Sequence, residues 1–231
     1  MPGKPCFRCR APSVIYQRYS GRSLCASHLV ADVLIRVKRT IRLEGGLGKK
    51  PVLAFLWEGQ ACLCLFHILG EIVGTRPCME FVLLHRGIAL NDLIGRLSLP
   101  SSIQIRTEDI DGRDIKDVVL KSGADRLIRC TTLDEEAEQV LNTLFSGAYS
   151  SLFESEELSP VTCLRPLREI PVQEIDLVAK ELNIPFYAGE GSISDTRSFL
   201  ESLTQNHPSV PFSLIRYKDR LGELEKKHME N

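Results

Sequence analysis

The sequence predicts an α/β fold: a parallel sheet with helices on both faces, preceded by a small cysteine-rich N-terminal knuckle. Two observations predict it. From residue 51 onward, short apolar runs alternate with longer amphipathic ones, the rhythm of parallel strands joined by helical crossovers. Ahead of that rhythm, Cys6 and Cys9 are followed by Cys25 and His28 in a C-x2-C-x15-C-x2-H pattern. Three thiols and one imidazole in two close pairs suit a tetrahedral zinc ion with no position left for water, so a structural metal is expected. Iron in such a site stays open. The segment between the pairs, with Val14, Ile15 and Tyr16, is too short to bury a core, so the metal would supply its folding energy.

The elements follow in order. Leu29, Val30, Val33, Leu34, Val37 and Ile41 recur at helical spacing, and Arg36, Lys38, Arg39 and Arg42 decorate that helix. Gly45-Gly46-Leu47-Gly48-Lys49-Lys50 reads as a helix stop and linker; a phosphate loop would follow a strand and carry Ser or Thr after its lysine. Val52–Leu56 reads as a buried strand and 63–73 as an apolar helix. Further strands are expected at 81–84, 103–106 and 126–130, with helices at 92–97, 114–121 and 133–145. The last of these puts Ala137, Val140, Leu141 and Leu144 on one face. After a less regular stretch at 146–158, Pro171 is placed to open a helix over 172–182. Ser194 or Asp195 would cap another over 194–203. His207-Pro208 and Pro211 are expected to break the chain, and 221–230 reads as a charged helix with little apolar face. The domain reading is a knuckle at 1–30, a basic helix and linker at 31–50, an α/β domain at 51–220 and a charged tail at 221–231.

Composition narrows the class. In 231 residues, 43% are hydrophobic and 26% charged, which excludes a disordered or fibrous chain. No apolar run approaches the roughly 18 residues of a membrane span. The N-terminus carries no apolar signal segment, and eight cysteines are too sparse for a disulfide scaffold, so a cytoplasmic protein is expected. The net charge of −1 hides a division: residues 1–50 hold eleven basic and two acidic groups, the remainder 18 and 28. A basic head on an acidic body points to a polyanionic partner for the head.

Among single residues, Cys62 and Cys64 stand one residue apart where an apolar helix begins. They read either as small core hydrophobes or as a redox or sulfur-carrier pair. Cys78, Cys130 and Cys163 stand singly and read as core, and His67 reads as a core or edge histidine. Asp134 and Glu135 form an acidic pair that reads as first-turn charge of a helix.

Four ordered segments then carry a resemblance. They are the knuckle with Tyr16-Gln17-Arg18-Tyr19-Ser20-Gly21 inside it, Leu133-Asp134-Glu135-Glu136-Ala137, Arg165-Pro166-Leu167-Arg168-Glu169-Ile170-Pro171, and His207-Pro208 with Phe212-Ser213-Leu214-Ile215-Arg216. Together they resemble the tRNA 2-thiolation family of PP-loop ATPases, which form 2-thiouridine. The resemblance implies an adenine nucleotide alpha hydrolase-like sheet, a tRNA partner and ATP-dependent sulfur transfer. In the eukaryotic cytosolic members it also implies pairing of an active subunit with a degenerate one.

The family's phosphate turn, Ser-Gly-Gly-Lys-Asp-Ser, is here Trp57-Glu58-Gly59-Gln60-Ala61-Cys62. A carboxylate beside a phosphate costs about 1–4 kcal/mol at effective dielectrics of 80 to 20, so ATP is not expected to bind in the usual pose. The family's acidic pair after its second strand is His85-Arg86-Gly87-Ile88, and its Gly-His-Asn is Cys130-Thr131-Thr132. No Cys-x-x-Cys lies between Ile103 and Cys130, the third family cysteine falls near Gly191, and no cysteine follows Cys163. An iron–sulfur cluster is therefore not expected.

The resulting expectation is a catalytically degenerate tRNA-thiolation protein that binds tRNA through Arg8, Arg10, Arg18, Arg22, Arg36, Lys38, Arg39 and Arg42. It would act with an active thiolase of the same family or as a homodimer. Two alternatives remain. One is an unconventional sulfurtransferase using Cys62 and Cys64 with Asp134 and Glu135; the other is a scaffold that no longer binds RNA.

Overall fold

A computed structural model describes residues 4–76, 78–149, 159–187 and 194–229. The chain forms two compact units, each discontinuous in sequence. One comprises Ala26–Thr131 and Glu157–Gly189; the other comprises Met1–Cys25, Thr132–Glu156 and Glu190–Asn231.

The first unit is the sheet. Its strands are β3 (Val52–Leu56), β4 (Met79–His85), β5 (Ile103–Asp109), β6 (Arg126–Ile128) and β7 (Thr162–Leu164). They lie in the order β5-β4-β3-β6-β7, every pair parallel. The expected parallel α/β sheet is thus the observed one. β3 is central because its apolar residues serve both faces: Leu53, Ala54 and Phe55 are all fully buried. On one face Phe55 meets Phe66 and Phe81 at centroid distances of 4.4 and 4.9 Å. On the other, Ala54, Val82, Leu84 and Leu127 pack with Val118, Val119 and Ala124.

The helices of this unit are α1 (Ala26–Leu43), α2 (Gln60–Val73), α3 (Asn91–Ile94), α4 (Ile115–Lys121) and α6 (Val172–Glu181). α6 packs against both α1 and α2. The chain runs outward from β3 through β4 to β5, then returns to place β6 on the other side of β3. That reversal falls between β3 and β6, and parallel sheets bind their ligands at the carboxyl ends of the strands at such a point.

The second unit holds the antiparallel hairpin β1 (Ile15–Gln17) and β2 (Arg22–Leu24), with α5 (Leu133–Ser146), α7 (Asp195–Asn206) and α8 (Val210–Met229). Ala137, Leu141 and Leu200 form its helical core, flanked by Leu144, Val210 and Leu214. The Tyr19 ring lies 4.8 Å from Phe212, and Arg18 donates to the Gln205 carbonyl at 2.5 Å.

Three elements differ from expectation. β7 is a strand the sequence does not signal, because three residues give no period. The hairpin was hidden within the knuckle spacing. Pro211 does not break the chain: it is the second residue of α8, where a missing N–H removes no helical bond, so one helix of 20 residues runs to Met229. No helix among the described residues is long and apolar enough to cross a membrane.

Candidate functional site

The knuckle brings its four expected ligands together. Cys6 and Cys9 sit in a tight turn in which Arg10 N donates to Cys6 O at 2.9 Å and Cys6 N donates to Ala11 O at 2.8 Å. Arg10 takes a left-handed conformation, φ 64°, to close it. Phe7 N donates to Ser23 O at 2.8 Å, tying the turn to β2. Cys25 follows β2 directly, and His28 lies in the first turn of α1. The ligand atoms of Cys6, Cys9, Cys25 and His28 all lie within 4.8 Å of one another. Burial opposes ionisation of Cys6, but backbone hydrogen bonds at Cys25, Cys9 and Arg8 outweigh it and hold the thiol down to about 6. Cys6 is therefore preset as a thiolate ligand, and the three-sulfur, one-nitrogen set suits zinc.

The second site is the turn from β3 into α2. Gly59 has φ 87° and ψ −151°, a conformation essentially restricted to glycine, which explains the one glycine retained there. Glu58 points across to the end of β6. Its Oε1 accepts from Arg129 Nε at 2.5 Å, and its Oε2 accepts from the Cys130 backbone N–H at 2.5 Å. Arg129 is itself held at the end of β6, where its N–H donates to Leu164 O at 2.8 Å. The carboxylate thus takes the donors an anion would use in the crevice.

Neighbouring side chains fix this arrangement. Gln60 donates to Pro185 O at 3.2 Å and accepts from Tyr187 N at 2.7 Å. The Trp57 ring meets Tyr187 edge-on at 5.1 Å.

Cys62 and Cys64 are not a pair. The Cys62 sulfur accepts from the Cys130 thiol at 2.8 Å, while Cys64 faces the Ile175 carbonyl on α6 at 3.8 Å. Two residues along a helix turn side chains through about 200°. Burial first, then the nearby Asp176 and Cys62, push the Cys64 thiol up to about 12. Cys130, read from the sequence as packing, is the partner of Cys62. The rule that ligands sit where strand order reverses would have found Glu58 and Cys130 together, but it needs the strand order first. Cys78 is exposed and Cys163 half-buried on β7. His67 is half-buried on α2.

Glu135 is occupied as a helix cap, accepting from Thr132 N at 2.7 Å and Thr132 Oγ1 at 2.8 Å. Arg197 stays protonated among Glu138, Asp134 and Glu135, whose pull outweighs the cost of burying it. The Asp134–Glu135 pair is therefore part of the α5 terminus. The position near Gly191 lies outside the described residues.

The basic residues separate into two groups. Arg8, Arg10, Arg18, Arg22, Arg39 and Arg42 are exposed, and Lys38 is half-buried. Arg22 lies over the Phe7 ring, and Arg39 bonds Glu169. Arg36 leaves the set expected to face RNA: it is 16% exposed and is bound by Glu174 and Asp32. The helix face that carries it packs on α6, which the charge pattern alone does not show.

Comparison with known proteins places these features. Residues 6–30 match the family described as 2-thiouridine synthetase TtuA, N-terminal LIM domain. The chain is 26% identical to the tRNA 2-thiolation protein NcsA of Haloferax volcanii, across 95% of this chain and 87% of that one. The fold matches the U34-tRNA thiolase NcsA from Methanococcus maripaludis, with a TM-score of 0.81 at 20% identity, across 96% of this chain and 89% of that chain. The class is therefore a parallel α/β sheet protein of the fold seen in NcsA, with an N-terminal cysteine–histidine cluster. Along nearly its whole length the chain is similar to proteins of tRNA 2-thiolation.

One expectation is corrected by these findings. The iron–sulfur cluster was read out of the picture from missing cysteines, yet the structurally similar NcsA carries a [4Fe-4S] cluster. Such clusters take three or four thiolates. Among the described residues, one group brings three or more metal-binding side chains together, and it is the knuckle. The touching sulfurs of Cys62 and Cys130 supply two donors, and no third described thiol joins them, so that pair does not fit a four-iron cluster.

Proposed function

We propose that this protein serves tRNA 2-thiolation in the cytoplasm as a tRNA-binding subunit whose own nucleotide crevice is closed. The observation that carries this reading is the Glu58 carboxylate. It stands at the carboxyl end of β3 and engages Arg129 and the Cys130 N–H. A triphosphate entering there would have to displace a carboxylate and then lie beside it, and like charges repel. Gln60 replaces the lysine that a phosphate turn supplies, and it is engaged with residues 185–187 instead.

In this reading the knuckle holds zinc through Cys6, Cys9, Cys25 and His28, and the metal stiffens the hairpin. Arg8, Arg10 and Arg22 on the knuckle, and Lys38 and Arg42 on α1, contact tRNA phosphates, which position the RNA without reading its sequence. An active thiolase of the same family supplies the chemistry as partner. A sulfurtransferase built on Cys62 and Cys64 is disfavoured because the two thiols face different surroundings and Cys64 stays protonated.

Calorimetry of the zinc-loaded protein with ATP and magnesium tests the closed crevice. No heat of binding at millimolar ATP is expected, and saturable binding overturns the reading. Binding to bulk tRNA, measured by fluorescence anisotropy against salt, tests the other half. Arg8→Glu with Arg42→Glu should weaken binding and flatten its salt dependence.

A further inference from the structure

The reading above gives Cys62 and Cys130 no task, yet their placement is specific. Cys62 is the third residue of α2, and Cys130 is the second residue after β6. Both side chains are fully buried, and their sulfurs are 2.8 Å apart. A disulfide needs about 2.05 Å, so the bond forms with a closure of less than about 1 Å. The turn joining β3 to α2 is half-buried at Trp57, Glu58, Gly59 and Gln60, so a small solute reaches the pair by a local opening of that turn.

We propose that Cys62 and Cys130 form a redox-active dithiol that a peroxide converts to a disulfide. One thiol attacks a peroxide oxygen and becomes a sulfenic acid, with one water leaving. The other thiol then displaces a second water from that sulfur and closes the S–S bond. Two thiols lose two electrons and two protons, and hydrogen peroxide takes them up as water. The bond ties the first turn of α2 to the chain after β6, on either side of Glu58, and fixes the backbone N–H that Glu58 accepts. Thioredoxin-type dithiols reverse it. The proposal rests on thiol geometry and stands whichever way the ATP experiment falls.

The test is peptide mapping of the full-length, zinc-loaded protein. It is treated with hydrogen peroxide, denatured in an alkylating agent and digested without reductant. A peptide joining Cys62 to Cys130 is expected, lost on reduction with dithiothreitol and absent from Cys62→Ser and Cys130→Ser. Should either variant fail to fold, the wild-type map decides alone. Recovery of both cysteines alkylated after peroxide treatment overturns the proposal. So does their conversion to sulfinic acid without a linked peptide, or linkage of either one to another cysteine.

Discussion

Glu58 and Arg129 join the ends of two neighbouring parallel strands: the carboxylate oxygen lies 2.5 Å from both Nε and Nη2 of the guanidinium. The pair is largely shielded, with 15% and 18% of the side chains exposed. Removing one partner takes a shielded counter-ion from the other. Glu58→Ala should therefore lower stability by about 2–3 kcal/mol, less than for a fully buried pair because both groups keep some water. Urea midpoints of wild type and variant check this. An unchanged midpoint would mean that the pair does not hold the turn.

Arg36 and Arg42 lie on one helix and should separate cleanly on mutation. Glu174 is 1% exposed and is paired with Arg36, so Arg36→Ala should cost about 3–5 kcal/mol. Arg42 is exposed, and Arg42→Ala should stay within about 0.5 kcal/mol while weakening tRNA binding. Thermal unfolding and anisotropy on the same two variants give both readouts. Equal stability losses would sink the distinction.

Zinc should be present at one ion per chain and should be lost in Cys25→Ser. Chelation should release hydrogen-exchange protection in β1 and β2, because the hairpin segment has too little apolar core of its own. Mass-spectrometric exchange with and without chelator measures it. Retained protection after complete metal removal would show that packing against α8 through Tyr19 and Phe212 suffices.

Cys64 gives a pH dependence with a defined sign. Its folded value is raised from 9 to about 12, so the neutral thiol is the form the fold favours. Its contribution is fully present below pH 9 and is lost as pH rises toward 12, because the unfolded chain releases the proton first. Wild type should therefore lose more stability than Cys64→Ala between pH 8 and pH 10.5 or so. Parallel urea midpoints for the two proteins would count against this assignment.

Much of the fold was legible because its signals are local. β3 matches the expected Val52–Leu56 residue for residue, since a five-residue apolar run bounded by Pro51 and a charged turn has few other meanings. The clustering of Cys6, Cys9, Cys25 and His28 was legible for the same reason: their spacing is written within one segment. The Cys62–Cys130 contact and the Glu58–Arg129 pair were not, because each joins residues about 70 positions apart through strand order alone. Arg36 was misread because a basic residue on a helix carries no sign of which face a later helix will cover.

The hairpin that opens the chain shares its compact unit with the helices that end it. During synthesis this imposes a wait. The ribosome completes residues 1–25, then makes nearly the whole sheet unit, and only afterwards the helix that begins at Asp195. At about 5–20 residues per second the gap is roughly ten to thirty seconds. Through that interval the first segment cannot rest on Gln205 of α7 or Phe212 of α8, so early capture of a metal ion is what would keep it shaped until those helices are made.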